Sequence, residues 1–145
     1  MANEITVRVG LTVRNGNVQY SSGPIQQFQA DMSGNRGPSP GAFLATTDGV
    51  DIDLSNLSNP GVCILKNLDD STTGNAVTFG IWDETNSVFY PYQKLLPGEQ
   101  YPLRLAVDIE DEYSGTGTST TATVTTWRVK SENADVPVSV EAFET

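Results

Sequence analysis

The side chains that could support acid–base, nucleophilic or metal chemistry are abundant in number but restricted in kind. The 145 residues include 18 Asp and Glu, no His, and Cys63 as the single cysteine. Without histidine, a Ser-His-Asp or Cys-His catalytic site cannot be built. One cysteine cannot form a thiolate cage for zinc. We therefore expect no enzymatic activity.

The densest run of carboxylates offers the strongest candidates for a metal site. Hard cations such as calcium require several converging oxygen ligands, usually supplied by loops. A run of like charges is more often a solvated loop, so we expect no metal here. These candidates are Asp108, Glu110, Asp111 and Glu112. A smaller group, Asp48, Asp51 and Asp53, does not follow the ligand order of an EF-hand.

Cys63 lies in the apolar run Val62–Leu65, which is typical of a small hydrophobic residue buried in a strand. A single cysteine cannot form an intrachain disulfide, so folding is not expected to depend on an oxidising compartment.

The net charge of −10 restricts the class of partner. Nucleic-acid phosphates and anionic membranes both attract clustered Lys and Arg, so neither is expected as a partner. The chain has no stretch of about 20 apolar residues that could span a bilayer. It also shows no secretory signal pattern. The negative charge instead favours solubility, and it permits docking onto a basic protein surface.

Hydrophobic alternation with a period of two runs through much of the chain and predicts β-strands. Ile5, Val7 and Val9 begin one such strand, which continues to Val13, and Asn15-Gly16 is a typical hairpin turn. The glycine- and proline-rich residues 33–41 are predicted to form a loop. Further strands are predicted over residues 42–46, 49–54, 62–67, 76–82, 88–92, 101–109, 119–129 and 136–143.

These roughly ten short strands, without a helical segment, predict a single all-β domain over residues 1–145. We expect an antiparallel β-sandwich that is jelly-roll-like. The alternative is an immunoglobulin-like sandwich, although the Cys–Trp–Cys pattern of that fold is absent. Residues 1–13 are expected to act as an N-terminal pairing strand or arm.

Aromatic residues are concentrated between Trp82 and Tyr101. A carbohydrate-binding module would expose such rings as a stacking platform, and this is one alternative for function. We favour an arrangement in which Trp82 and Phe89 fill the core and the tyrosines border an interface. Trp127 is either a core residue or an exposed anchor.

Several turn motifs resemble those of small virion proteins of tailed bacteriophages. They are Asn67-Leu68-Asp69-Asp70, the strand over residues 76–81, Phe89-Tyr90-Pro91, Leu95 to Glu99 and Leu103-Arg104-Leu105. The family that they resemble most is that of capsid decoration, or cement, proteins with a jelly-roll-like fold. The resemblance covers about forty residues, and it consists mainly of turn chemistry.

This resemblance implies a virion protein on the capsid exterior, made in the host cytoplasm, which binds the major capsid protein and cements neighbouring subunits. It also implies a homotrimer without a cofactor. A tail or neck component is an alternative. We expect the strand over residues 4–13 to pair with a partner sheet edge and the loop around Arg36 to reach a neighbouring subunit. The expected interface residues are Ile5, Val7, Arg8, Arg36, Tyr90, Tyr92 and Trp127.

Overall fold

The computed structural model describes residues 4–70, 74–105 and 125–145. These residues form antiparallel β-strands joined by turns, and none of the described segments is helical. The strands are β1 Ile5–Val9, β2 Thr12–Asn15, β3 Val18–Ser21, β4 Gln26–Ala30, β5 Ser39–Ala45, β6 Val50–Asp51, β7 Pro60–Asn67, β8 Val77–Asp83, β9 Val88–Leu95, β10 Gln100–Arg104, β11 Thr125–Ser131 and β12 Val136–Glu144.

Strands β5 to β12 form two four-stranded sheets, ordered β10-β7-β12-β5 and β6-β11-β8-β9. Their pairings are nested: β5 pairs with β12, β6 with β11, β7 with β10 and β8 with β9. A long hairpin that is folded over itself gives this order, which is the connectivity of a jelly roll. The predicted antiparallel, jelly-roll-like sandwich is therefore confirmed.

The core lies between the two sheets and is built from alternate residues of each strand. On β8, Val77 and Phe79 are fully buried, while Thr78 between them is half-buried. On β12, Val136, Val138 and Val140 point inward in the same way. Because side chains alternate across a strand, the period-two pattern of the sequence corresponds to an inner apolar face and an outer face.

Two tight turns, at residues 67–70 and 95–99, lie at one end of the sandwich. The Asn67 side chain accepts a hydrogen bond from the Asp69 backbone N–H at 3.0 Å, and its amide donates to the carbonyls of Asn75 and Leu95. Gly98 has a φ of 77°, and the Glu99 N–H donates to the Leu96 carbonyl at 3.0 Å. These residues thus hold the ends of β7, β8 and β9 together.

Residues 39–41 differ from the sequence-based prediction, which placed them in a loop. They begin β5, where Pro40 lies opposite Glu141 of β12. Proline is tolerated at this position because β5 is an edge strand. It pairs with β12 on one side only, so the backbone N–H that proline lacks is not needed for pairing with a further strand.

Candidate interaction surface

Residues 5–30 form a two-stranded hairpin, here called the arm, that is separate from the two sandwich sheets. β1 pairs with β4, and β2 pairs with β3. Between the two ladders, the Ser22 N–H donates to the Leu11 carbonyl at 2.9 Å and the Leu11 N–H donates to the Ser22 hydroxyl at 3.0 Å. The predicted strand over residues 5–13 is thus divided into β1 and β2, and it pairs within the chain.

Each ladder of the arm has one apolar and one polar face. Val7 lies opposite Phe28 on one ladder, and Val13 lies opposite Tyr20 on the other. The residues between them point to the other side and are polar, as at the pair Arg14 and Gln19. The arm is therefore amphipathic at the period of a β-strand.

Only the base of the arm is covered by the sandwich. Val7 and Ala30 are buried in a small cluster with Val62 of β7, and Ile5 packs against it. Beyond this base, the arm exposes large apolar side chains, of which Ile25 is 68% accessible to solvent. The others that are more than one-third exposed are Val9, Leu11, Val13, Val18, Tyr20 and Phe28. Exposed apolar groups on one continuous element typically mark a protein interaction site.

The edges of the sandwich, by contrast, are protected against strand pairing. β5, β9 and β10 are edge strands, and each contains a proline: Pro40, Pro91 and Pro102 respectively. The fourth edge, β6, has two residues. Prolines and short edge strands are devices that prevent edge-to-edge association. The strands of the arm contain no proline, so the arm is the less protected element.

The three predicted interface residues of the N-terminal strand differ in how far they are buried. Ile5 is half-buried and Val7 is buried at the base of the arm, whereas Arg8 is exposed on the polar face. The predicted interface does not include the exposed residues from Val9 to Phe28. Their alternation with a period of two predicts a strand with one apolar face, but it does not show what covers that face.

Arg36 is exposed, but the loop that carries it is bound to its own sandwich. The Arg36 guanidinium donates to the Asn56 carbonyl at 3.3 Å, and the Arg36 carbonyl accepts the Glu144 N–H at 3.4 Å. A Cβ atom at Gly37 would lie 2.6 Å from the ring of Phe143. The loop thus lies close to the end of β12.

The aromatic residues do not form one platform. By register, Trp127 lies opposite Ile81 and Trp82 lies opposite Thr126, so the two tryptophans project from opposite faces of their sheet. Trp127 packs against the core and meets the exposed Tyr92 edge-to-face at 6.4 Å between ring centroids. Tyr90 is 38% exposed on the same edge strand, β9. A flat row that contains both tryptophans is therefore incompatible with this geometry.

The expectation that Trp82 and Phe89 fill the core is wrong. They lie opposite each other on the outer face, and both are half-buried. One face of the Trp82 ring is covered by the Arg128 guanidinium, 4.0 Å from the ring centroid. The core position is taken instead by Phe79, which has the opposite parity on β8.

The carboxylates within the described ranges do not converge. Asp51 accepts hydrogen bonds from Arg128 at 2.6 Å and Thr126 at 3.2 Å, while Asp53 accepts from the Ser55 N–H. No group of three or more His, Cys, Asp or Glu suited to a metal occurs among residues 4–70, 74–105 and 125–145. The candidates Asp108, Glu110, Asp111 and Glu112 lie outside the described residues.

Cys63 is fully buried in the core, as predicted. Burial in this apolar environment raises the pKa of the Cys63 thiol to about 12. Because the thiolate is the reactive form, this cysteine is inert in the folded protein at neutral pH.

Comparison with protein-family models, curated proteins and solved structures finds no match for this chain. In the part of the chain that the structure describes, no helix is long and apolar enough to cross a membrane.

Proposed function

We propose that this chain is a structural protein that joins a protein assembly through its arm. The observation that carries the proposal is the apolar face of the arm, which is covered at Val7 and exposed from Val9 onward. Burying apolar area stabilises an association by about 25 cal/mol per Å². A partner that covers the seven exposed apolar side chains of the arm would remove their surface from water, which favours association.

The specific assembly that we propose is the capsid of a tailed bacteriophage. In this role the chain binds the outer surface of the shell and cements neighbouring major capsid subunits. The support is the resemblance of the turns at Asn67–Asp70 and Leu95–Glu99 to those of capsid decoration proteins. A protein that binds only the assembled shell stabilises it by mass action. Many identical sites on one shell then add their small individual contributions.

Cosedimentation with shells tests this proposal. The chain is produced together with the major capsid protein encoded in the same genome, and the shells are separated from free protein by centrifugation. We expect the chain to sediment with the shells and to raise the temperature at which they disassemble. If the chain stays in the supernatant at every ratio tried, the capsid role is wrong.

A pair of variants connects this binding to the arm. Val18→Lys places a charge on the apolar face, at a side chain that is 60% exposed and contributes little to folding. Gln19→Lys places the same charge on the polar face one residue later. We expect the first variant to reduce shell binding by at least about tenfold, equivalent to 1.4 kcal/mol, and the second to bind like the unchanged protein.

A further inference from the structure

The tip of the arm, residues 15–18, carries a dipeptide that is reactive by its own composition. Asn15 is the only one of the ten asparagines in the chain that precedes a glycine. The backbone nitrogen after an asparagine can attack the side-chain amide carbon and form a five-membered ring, and the side chain of the following residue normally hinders this attack. Glycine has no Cβ atom, so Asn-Gly is the least hindered sequence for the reaction.

The structure places this dipeptide where water and base reach it. Asn15 ends β2, and Gly16 and Asn17 form the turn to β3. All three residues are exposed. Gly16 has a φ of 53°, and a Cβ atom built on it would meet nothing within 4 Å. The amide nitrogen of Gly16, which is the nucleophile in this reaction, therefore lies in an open part of the surface.

Asn86 shows what restrains the same chemistry in another turn. It precedes the small residue Ser87, but its side-chain amide donates to the Asp83 carboxylate at 2.7 Å and its backbone N–H donates to the same group at 3.1 Å. The Asn15 side chain, by contrast, has no hydrogen-bond partner among the residues that the structure describes. It is thus able to rotate toward the Gly16 nitrogen.

Ring closure also requires the Asn15 backbone to leave its extended conformation, and little of the fold opposes this. Asn15 and Val18 are the last pair of the β2–β3 ladder. The sandwich covers the arm near its base, at Val7 and Ala30. Two-stranded hairpins are marginally stable by themselves, and the end of an exposed ladder opens locally at low cost. The reactive conformation is therefore reached without unfolding of the sandwich.

We propose that Asn15 is a site of spontaneous deamidation. The Gly16 nitrogen forms a bond to Cγ of Asn15, the Cγ–Nδ2 bond breaks, and the proton of the Gly16 nitrogen leaves with the side-chain nitrogen as ammonia. Water then opens the resulting succinimide. Addition at Cγ gives aspartate, whereas addition at the backbone carbonyl carbon gives isoaspartate, in which the chain continues through the side chain. Water is the only co-reactant, and no group is oxidised or reduced.

The product alters the apolar face of the arm in two ways. Asn15 has the same strand parity as Val13 and lies opposite Val18, so the new carboxylate stands on the apolar face. A partner that covers this face then has to bury an unpaired charge, which is costly. Isoaspartate also lengthens the backbone beside the turn and so disturbs the pairing of Val13 with Tyr20. A free chain thus loses its ability to dock as it ages. This consequence for docking rests on the proposed function, whereas the modification itself does not.

Peptide mapping of the full chain measures the reaction. One tryptic peptide, residues 15–36, contains Asn15, Asn17 and Asn35, so fragmentation in the mass spectrometer compares the three sites within one molecule. After incubation at several alkaline pH values, we expect Asn15 to convert at least about tenfold faster than the other two, equivalent to a barrier lower by about 1.4 kcal/mol. The rate should rise with pH, because the deprotonated nitrogen is the nucleophile. A sample digested without incubation corrects for conversion during digestion.

Two variants separate the reaction from its effect on binding. Asn15→Gln is the control, because its longer side chain would have to close a less favourable six-membered ring, and we expect no conversion at this position. Asn15→Asp carries the charge of the product from the start. Both are expected to fold, since residue 15 is exposed. We expect Asn15→Asp to bind shells about fivefold more weakly than Asn15→Gln, equivalent to about 1 kcal/mol.

Two results would overturn the inference. If Asn15 converts no faster than Asn17 and Asn35, the hairpin withholds it from the reactive conformation. If Asn15→Asp binds shells as tightly as Asn15→Gln, a charge at the tip does not affect docking. Failure of the proposed function looks different. If neither variant nor the unchanged protein sediments with shells, the capsid role and the effect on docking are both wrong, while the conversion of Asn15, measured on the free chain, still stands.

Discussion

The guanidinium of Arg128 lies 4.0 Å from the centroid of the Trp82 ring on the outer face of the sandwich. Both residues belong to central strands of one sheet, β11 and β8. The same guanidinium donates to Asp51 on the edge strand β6 at 2.6 Å. Arg128 therefore joins three adjacent strands through side chains alone, and its stem covers apolar surface that Trp82 would otherwise expose.

Replacing Arg128 by Ala is expected to lower the free energy of unfolding by about 1–2 kcal/mol. The loss combines a cation–π contact with an ion pair that is partly exposed to solvent at Asp51 and is therefore worth little by itself. Chemical denaturation followed by tryptophan fluorescence measures the change. Lys130→Ala, two residues later on the same strand and exposed, is the control. Equal losses in the two variants would show that the contact with Trp82 contributes nothing specific.

Replacing Gly80 by Ala is expected to destabilise the fold by about 3 kcal/mol or more. The new Cβ atom would lie 2.2 Å from the Tyr90 carbonyl oxygen and 2.8 Å from the Phe89 ring, so β8 and β9 would have to separate. Gly10→Ala is the matched control, because its Cβ atom would meet Ile25 at an ordinary 3.5 Å. Thermal unfolding of both variants checks the prediction, and a Gly80→Ala protein as stable as the control would refute the close approach.

Asn67 is buried and makes three hydrogen bonds through its side chain. Asn67→Ala leaves the carbonyls of Asn75 and Leu95 without these donors, and we expect a loss of about 2–4 kcal/mol. Asn67→Asp is expected to cost more at neutral pH, because a carboxylate would face the two carbonyl oxygens. Its pKa would be raised in the folded state, so stability should recover as the pH falls. Denaturation at several pH values tests this, and a pH-independent Asn67→Asp protein would contradict it.

Asp83 provides a second test of pH dependence. The hydrogen bond from the Asn86 side chain, at 2.7 Å, holds the pKa of Asp83 below its usual range. A lowered pKa contributes stability that is present above the unfolded value, about 3.9, and is lost as the pH falls through the folded value. Asn86→Ala should therefore raise the pKa of Asp83 and reduce stability at pH 7. The difference should disappear once Asp83 is protonated in both proteins.

An NMR titration of the side-chain carboxyl groups measures this shift directly. Asp53, whose pKa is lowered by its hydrogen bonds with Ser55, serves as an internal reference and should not move. If Asp83 titrates at the same pH in both proteins, the hydrogen bond from Asn86 is not the cause of the lowered pKa.

The sandwich could be predicted from the sequence because alternation and turn chemistry act over a few residues. The segments around Val77 and Val136 were assigned to strands within one or two residues of their observed bounds. The predicted loop over residues 33–41 extends three residues too far, because proline and glycine disfavour a strand interior but are accepted in an edge strand such as β5. Trp82 was misplaced although Phe79 and Ile81, with the opposite parity, already indicated which face of β8 is inside.

The interaction surface could not be predicted in the same way. The alternation of Val9, Leu11 and Val13 is indistinguishable from that of a core strand, since a period of two reports an apolar face and not what covers it. Only the pairing of β1 with β4 and of β2 with β3 shows that these side chains lie on a hairpin outside the sandwich. The acidic candidates from Asp108 to Glu112 remain a prediction, as they lie outside the described residues.

The nested pairing of the sandwich has a consequence for synthesis. β12 lies between β5 and β7, so the sheet that contains them stays open until residues 136–144 have left the ribosome. Contacts between such distant segments make folding slow, because loop-closure entropy is lost before the contacts form. The arm, whose strands are close in sequence, can pair much earlier. A nascent chain is thus expected to carry a formed hairpin ahead of an unfinished sandwich, and a product truncated before β12 would lack the central strand that its neighbours require.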